Sequence, residues 1–489
     1  MEIKMKEKKL KTISLLAAMS ILFTASACKP KNKEEKAGEI PTLTWYLYGT
    51  EQKTKDVVLD KVNEILPEKI GAKLDIQIID AGSYDDKMRM ILSSGKDFDL
   101  CYTADWTNDF ITNVQKGGYM ALDDLIKENA PKLMEAVPDT LFNAARVDGK
   151  IYAIPNLQVL FRQICLVFDK ELTEKYNFDT STVKSVKDIE PYLEILKKNE
   201  PNMYGFRPEG WETDLFTDPV YEEILPSTGC LIKKDGSDTN VVVNFETPEF
   251  EDCIKTYRDW YQKGYIRPDI DSVMDESSEM KAGKFGVTIS TYKPGAEQEY
   301  KKQYKRDCIM VPIEDTYLNA NAGMATMTAI SRTSKNADKA IKLIELMYTD
   351  PEMLNLLSFG IEGVHYTKVD GGKVKINWDA GYNVAAWMIG NQFNAMLTET
   401  QEDDIWKKTE QMNSEARVSP ISGFTLNTQP IKTQLSAMST VQAEYKSIYF
   451  GSQDLNGFFD DYKAKMKEAG IYTVRDEIQK QINEYLSKK

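Results

Sequence analysis

The chain has 489 residues and a formal net charge of −14 at pH 7, from 76 acidic against 62 basic residues. An acidic surface excludes nucleic acid, whose phosphates demand positive charge, and excludes adhesion to an anionic membrane through the protein surface itself. A single histidine excludes histidine-rich metal sites, while 25 Tyr, 18 Phe and 7 Trp supply stacking surfaces, a balance that favours a binder over a catalyst.

Lys4, Lys6, Lys8, Lys9 and Lys11 open the chain, and residues 13–25 are apolar or small throughout. A basic start, a short apolar run and small residues before a cut site describe a secretory signal. The run is shorter than the roughly 20 residues needed to span hydrocarbon. Ala25-Ser26-Ala27-Cys28 resembles the end of a bacterial lipoprotein signal, in which the cysteine becomes the lipidated first residue; Ala25 stands where that signal usually has leucine. Residues 1–28 are thus the expected leader, Cys28 the expected lipid anchor, and the charged tract 29–39 a flexible tether. An ordinary cleaved signal with an incidental cysteine is the competing reading.

Residues 40–48 (IPTLTWYLY) are β-branched and aromatic and predict a strand. Val57, Val58, Val62, Ile65 and Leu66 recur at helical spacing within 53–70, and 74–79 is the next strand. A helix over 87–92 and a third strand over 98–102 follow. Strand and helix alternate, which predicts a parallel α/β sheet. Asp148-Gly149 turns the chain into a strand that Pro155 ends, since proline removes a ladder donor. Further on, 248–263 predicts a helix with Trp260 in the core, 285–290 a buried strand and 337–348 a helix. Val369 to Val374 predicts a hairpin through Asp370-Gly371, and 428–450 and 455–486 predict closing helices.

Cys101, Cys165, Cys230, Cys253 and Cys308 are widely spaced with no CxxC pair, so buried, mostly reduced thiols are expected. Asp235, Ser237, Thr239 and Glu246 fall at the ligand spacing of a calcium loop, but Asn240 occupies the glycine position and two hydroxyls replace carboxylates. A hairpin turn is the expected reading there, and neither metal nor cofactor is expected.

Phe98-Asp99-Leu100, residues 117–125 (GGYMALDDL) and residues 148–155 (DGKIYAIP), in this order, resemble extracellular solute-binding proteins of the maltose-binding-like, carbohydrate branch of ABC importers. Residues 282–292 (AGKFGVTISTY) are similar to that family's return strand. Residues 348–351 (YTDP), 360–366 (GIEGVHY) and 387–393 (WMIGNQF) resemble a lipoprotein subgroup with its own C-terminal domain. The resemblance implies an α/β, two-lobe periplasmic-binding-protein-like fold with the ligand cleft between lobes and a helical C-terminal part. It implies that residues 40–157 and 284–318 build the first lobe, and 158–283 and 319–489 the second. A monomer is implied that captures an extracellular oligosaccharide, without catalysis, and delivers it to a membrane permease. Two other readings stand beside it. One is a peptide ligand in the same importer role. The other is a surface glycoside hydrolase, which needs two carboxylates about 5–9 Å apart that nothing in the sequence pairs.

Ligands of open α/β sheets sit at the carboxyl ends of strands. That rule nominates Tyr48, Thr50 and Glu51 after the first strand, Asp105 and Trp106 after the third, and Tyr292 after 285–290. A sugar offers an apolar face and a rim of hydroxyls, and Asp105-Trp106 presents a ring and a carboxylate side by side. Gln158 and Arg162 follow the crossing at Pro155, and Trp211 sits in a loop rich in Pro and Gly. Glu362, His365 and Tyr366 group after a helix, and Asn391 stands one helical turn from Trp387. His365 is expected to hydrogen-bond, to ligand or to a neighbouring carbonyl. Trp378 and Trp406 are expected to pack.

Overall fold

The computed structural model describes residues 40–208, 215–225, 228–273 and 276–488. Cys28, the tether and Trp211 lie outside the described residues. Among the described residues no helix is long and apolar enough to cross a membrane.

Thr42–Gly49 is an interior strand of the first sheet, with Leu43, Trp45 and Leu47 fully buried on one face and Tyr46 buried on the other. A strand covered on both faces must be apolar in both phases, which is why this run does not alternate. It pairs in parallel with Lys73–Asp80 on one side and Leu100–Thr103 on the other, as the alternation of elements predicts. The helices Lys55–Ile70 and Tyr84–Ser94 connect these strands. The sheet then continues with Met327–Ile330 and Ala153–Pro155, both pairings antiparallel.

A second sheet takes Cys308–Pro312, Ile164–Asp169, Phe285–Thr291 and Tyr204–Phe206 in that order. Two stretches therefore change sides from the expected allocation. Phe285–Thr291 and Cys308–Pro312, assigned with 284–318 to the first lobe, both pair with Ile164–Asp169 in the second. Met327–Ile330, assigned with 319–489 to the second lobe, closes the first sheet. Met327–Ile330 is wholly buried and Phe285–Thr291 is buried over its first five residues, so each reads locally as an interior strand. Only long-range pairing decides which sheet receives it.

The C-terminal helices Lys432–Glu444, Phe458–Ala469 and Ile471–Leu486 share a core with the small antiparallel sheet of Tyr221–Glu223, Cys230–Lys233 and Val242–Val243. The expected last helix is two, broken at Gly470, whose φ of 96° only glycine adopts without strain. Trp260 is fully buried, as its helical spacing predicts.

Two segments pass between the two sheets, a third runs through Arg417-Val418 to the C-terminal helices, and the three are laced together. Arg162 and Tyr317 exchange backbone hydrogen bonds of 2.8 and 3.0 Å, and Tyr317-Leu318 pairs in parallel with Arg417-Val418. Phe161, Leu318 and Ala416 form a small apolar core of their own at this junction. Beneath it lies Glu222, buried, accepting from the Tyr317 hydroxyl at 2.7 Å, the Ala320 N–H at 2.5 Å and the Ser419 hydroxyl at 2.6 Å. Burial holds its carboxyl above the usual range, against the pull of those three donors. A second buried pair, Lys234–Glu314 at 2.8 Å, sits alongside, with the ammonium 4.7 Å from the Tyr317 ring.

Replacing Glu222 by Ala orphans three donors at a cost of about 1–3 kcal/mol each. Glu222→Ala is therefore expected to lose about 3 kcal/mol or more in urea denaturation, and Glu222→Gln to recover part of it.

Candidate functional site

The loop after Leu100–Thr103 is folded so that one tryptophan must face outward. Asn108 adopts a positive φ of 46°, a conformation asparagine tolerates, and its side-chain amide donates to the Tyr102 carbonyl at 2.8 Å. The Thr103 hydroxyl donates to Asn108 O at 2.6 Å, and the Asp85 carboxylate receives the Asn108 N–H and, at 3.1 Å, the Thr107 hydroxyl. This tight loop lifts Trp106 out of the fold, leaving it 51 % exposed. Its indole N–H donates to Ala325 O at 2.7 Å. The ring stands perpendicular to Tyr48, with centroids 5.2 Å apart, and 6.0 Å from Tyr102. Tyr102 in turn lies 6.0 Å from Trp387.

Asp105 completes this aromatic wedge. Its N–H donates to Met324 O at 3.0 Å, and its carboxylate accepts from the Asn321 amide. One side is open to solvent and the other is crowded by protein, and that desolvation pushes the carboxyl up to about 6. Thr50 and Glu51 are exposed at the adjoining strand end, where Gln52 ties the loop to Asn383 N–H at 2.6 Å. The strand-end rule thus brings together Tyr48, Thr50, Glu51, Asp105 and Trp106.

The other nominations divide. Tyr292 follows its strand as expected but on the second lobe, half-buried, with its N–H donating to Gln163 O at 2.7 Å. Gln158 and Arg162 lie in the first crossing segment. The Gln158 carbonyl accepts from Asn413 at 2.8 Å, and the Arg162 guanidinium pairs with Asp218 at 3.2 Å. Two nominations, His365 and Tyr366, are corrected because both are buried, and Glu362 and Asn391 make local contacts. His365 is fully buried: its Nδ1 accepts from Ile361 N–H at 2.9 Å, so the protonated Nε2 donates to the Thr54 hydroxyl at 3.1 Å, and that hydroxyl donates to Ala380 O at 2.7 Å. Tyr366 is buried against Phe359, and Asn391 spends its side-chain oxygen on Phe393 N–H at 3.0 Å. Glu362 pairs with Lys368 at 2.9 Å on the outer surface. Glu362 and Tyr366 stay neighbours and line one shallow pocket with Lys368, whereas His365 turns inward to Thr54.

Sequence reasoning missed Trp378, which was expected to pack and is 61 % exposed, and left Trp387 without a role. Both line a cavity of about 460 Å³ with Trp406, whose indole N–H donates to Ala395 O at 2.8 Å. The Trp387 turn is pinned from below. Its carbonyl accepts from the Thr326 hydroxyl at 3.1 Å, and the buried Asn156 amide donates to Thr326 Oγ1 at 2.9 Å and to Met388 O at 3.0 Å. Three tryptophans within thirty residues of a loop-rich segment were the available signal.

Among the described residues no three His, Cys, Asp or Glu side chains gather as metal ligands. In the calcium-like stretch, Asp235 Oδ1 instead accepts from Ser237 N–H at 2.9 Å, and Glu246 accepts from the Tyr472 hydroxyl at 2.7 Å.

Two α/β lobes, crossed by laced segments and carrying an aromatic wedge at the carboxyl edge of one sheet, define a two-lobe solute-binding protein. The chain belongs to the bacterial extracellular solute-binding proteins, matching that family over residues 59–353, and residues 420–487 match a domain of unknown function, DUF3502. The family binds its solute and does not transform it. A carbohydrate ABC transporter substrate-binding protein of Streptococcus pneumoniae is 30% identical over 94% of this chain and 93% of its own length. The crystal structure of the N-glycan transport solute-binding protein NgtS from the same organism is 29% identical, covers 92% of this chain and 100% of its own, and superposes with a TM-score of 0.81. The structure of NgtS in complex with Man5GlcNAc, 28% identical and covering 92% of this chain and 99% of its own, superposes with a TM-score of 0.68.

Burial holds the His365 imidazole below its ordinary value, so the unfolded chain takes up the proton first as pH falls. The stabilisation is whole above about pH 6.5 and is lost progressively below it. Thermal denaturation from about pH 8 to 5 should show this decline in the wild type, and a flatter profile with a lower plateau in His365→Gln.

Proposed function

We propose that this protein is the lipid-anchored, substrate-binding component of an ABC importer, and that its solute is an oligosaccharide. The observation that carries the reading is Trp106: an exposed indole, held rigid by its own N–H, beside a carboxylate, at the strand ends where α/β folds bind ligands. An aromatic face covers the C–H face of a sugar ring, and Asp105 accepts from its hydroxyls. Tyr292 on the second lobe would meet the ligand from the opposite side.

Ligand that touches both lobes stabilises the closed arrangement, and closure turns about the crossing segments, the hinge motion that periplasmic binding proteins illustrate. The lower superposition on the glycan-bound relative than on NgtS alone supports an open resting state. A glycan of mannose and N-acetylglucosamine is the first ligand to test, because such glycans occupy that relative. Cys28 would hold the protein at the outer face of the membrane, near the permease that reads the closed form.

Isothermal titration of the wild type with Man1GlcNAc, Man5GlcNAc and mixed peptides tests the solute class; binding of peptides and no glycan overturns it. Trp106→Ala should weaken glycan binding by about 1–3 kcal/mol, or roughly five- to 150-fold, with a melting temperature close to wild type. Cys28→Ala should remain unprocessed by lipoprotein maturation, and recovery of a lipid-modified mature form would show that the anchor lies elsewhere.

A further inference from the structure

The aromatic wedge does not end at Trp387. The edge of that ring meets Tyr102, and its other side opens into the cavity of about 460 Å³. Trp406 is a fixed wall there, half-buried against Phe393 and hydrogen-bonded through its indole. Trp378 differs from both: it is more exposed than Trp106, yet the backbone that carries it is bound on every side.

That backbone is the short turn Trp378–Ala380, closed by Gly381 at φ 71°, where a Cβ would meet the Lys53 side chain at 3.0 Å. Asn377 N–H donates to His365 O at 2.8 Å, and the Asn377 amide donates to Val364 O at 3.0 Å. The Thr54 hydroxyl, itself held by His365, donates to Ala380 O. The one histidine of the chain thus suspends a tryptophan that packs on little beneath it. An exposed indole on a rigid support forgoes burial that a mobile loop would have recovered, as expected of a preorganised contact.

The face of Trp378 is already occupied by a group from the other lobe. Lys302, on the helix Ala296–Tyr304 of the second lobe, places its Nζ 4.9 Å from the ring centroid. Lys302 is exposed, and a cation–π contact in water is weak, so it yields to a larger apolar surface. Gln298 on the same helix reaches Glu402 at 3.5 Å, which keeps the helix at this edge of the cavity.

We propose that Trp378 is a distal platform of the same cleft. It stacks on a sugar ring beyond the one held at Trp106, displaces the Lys302 ammonium onto the hydroxyls of that ring, and thereby sets a preference for long oligosaccharides over short ones. This rests on the oligosaccharide reading above, and the two fail differently. The probes are Man1GlcNAc and Man5GlcNAc, titrated calorimetrically into the full chain and into Trp378→Ala, Trp378→Phe and Trp106→Ala. Trp378→Ala should weaken Man5GlcNAc by about 5- to 50-fold, the scale of one aromatic face, and change Man1GlcNAc by less than about twofold. Trp378→Phe should recover most of the loss, and Trp106→Ala should weaken both glycans. The melting temperature of Trp378→Ala should match wild type, because the ring buries little. Equal losses on both glycans, or no loss on either while the wild type binds them, overturns the distal platform and leaves the oligosaccharide reading standing. A wild type that binds neither glycan overturns both.

Discussion

The fold depends on a carboxylate with no way out. Glu222 lies under the junction where the chain passes between its lobes, and three donors from two of the crossing segments converge on it. Two lobes with separate cores would otherwise share only a few strands of backbone. The buried acceptor converts those strands into one mechanical part: Tyr317, Ala320 and Ser419 cannot separate without stranding polar groups in a dry interior. In the closure proposed above, rotation would fall on the backbone around this knot and leave the knot itself intact.

The aromatic wedge is built onto one end of that knot. The segment from Asn321 to Ala325, which returns the chain to the first lobe, bonds to Asp105 through its side chain and its N–H, to Trp106 through the indole, and to Tyr102 through its hydroxyl at 3.3 Å. Asn156 in the outgoing segment, with Thr326, supports the Trp387 turn. Tyr102, Trp106 and the Trp387 turn are therefore hydrogen-bonded to crossing segments, and Tyr48 takes its position from Thr42–Gly49. Precision at the site and freedom at the hinge come from the same few residues.

Much of the first lobe is legible in the chain. Apolar runs bounded by glycine gave Thr42–Gly49 and its neighbours, and the strand-end rule reached Tyr48, Asp105 and Trp106 with no structure in hand. The rule works because it needs only local order of elements. It stops where pairing becomes non-local: FGVTIS and MTAI are both short, mostly apolar runs, and nothing in either string says that they belong to opposite sheets. His365 shows the same limit at the level of one side chain. A histidine beside two polar or aromatic residues reads as a contact, whereas the Thr54 hydroxyl that claims it lies more than three hundred positions earlier. Trp378 fails in the opposite sense, since composition places tryptophans inside and only the hydrogen-bonded turn beneath it explains why this one is held outside.

The thiols bear on how such a protein survives its destination. Cys101 lies in the first-lobe core, Cys230 packs with the C-terminal helices, and Cys165 and Cys308 lie on adjacent strands of the second sheet, all of them buried. Burial pushes these four up to about 12, so the thiolate, the species that attacks disulfides and oxidants, is almost absent at neutral pH. Once folded, these four thiols are chemically quiet in an oxidising exterior. The hazard is confined to the interval between export and closure of the cores, when unshielded thiols of newly delivered chains can find one another.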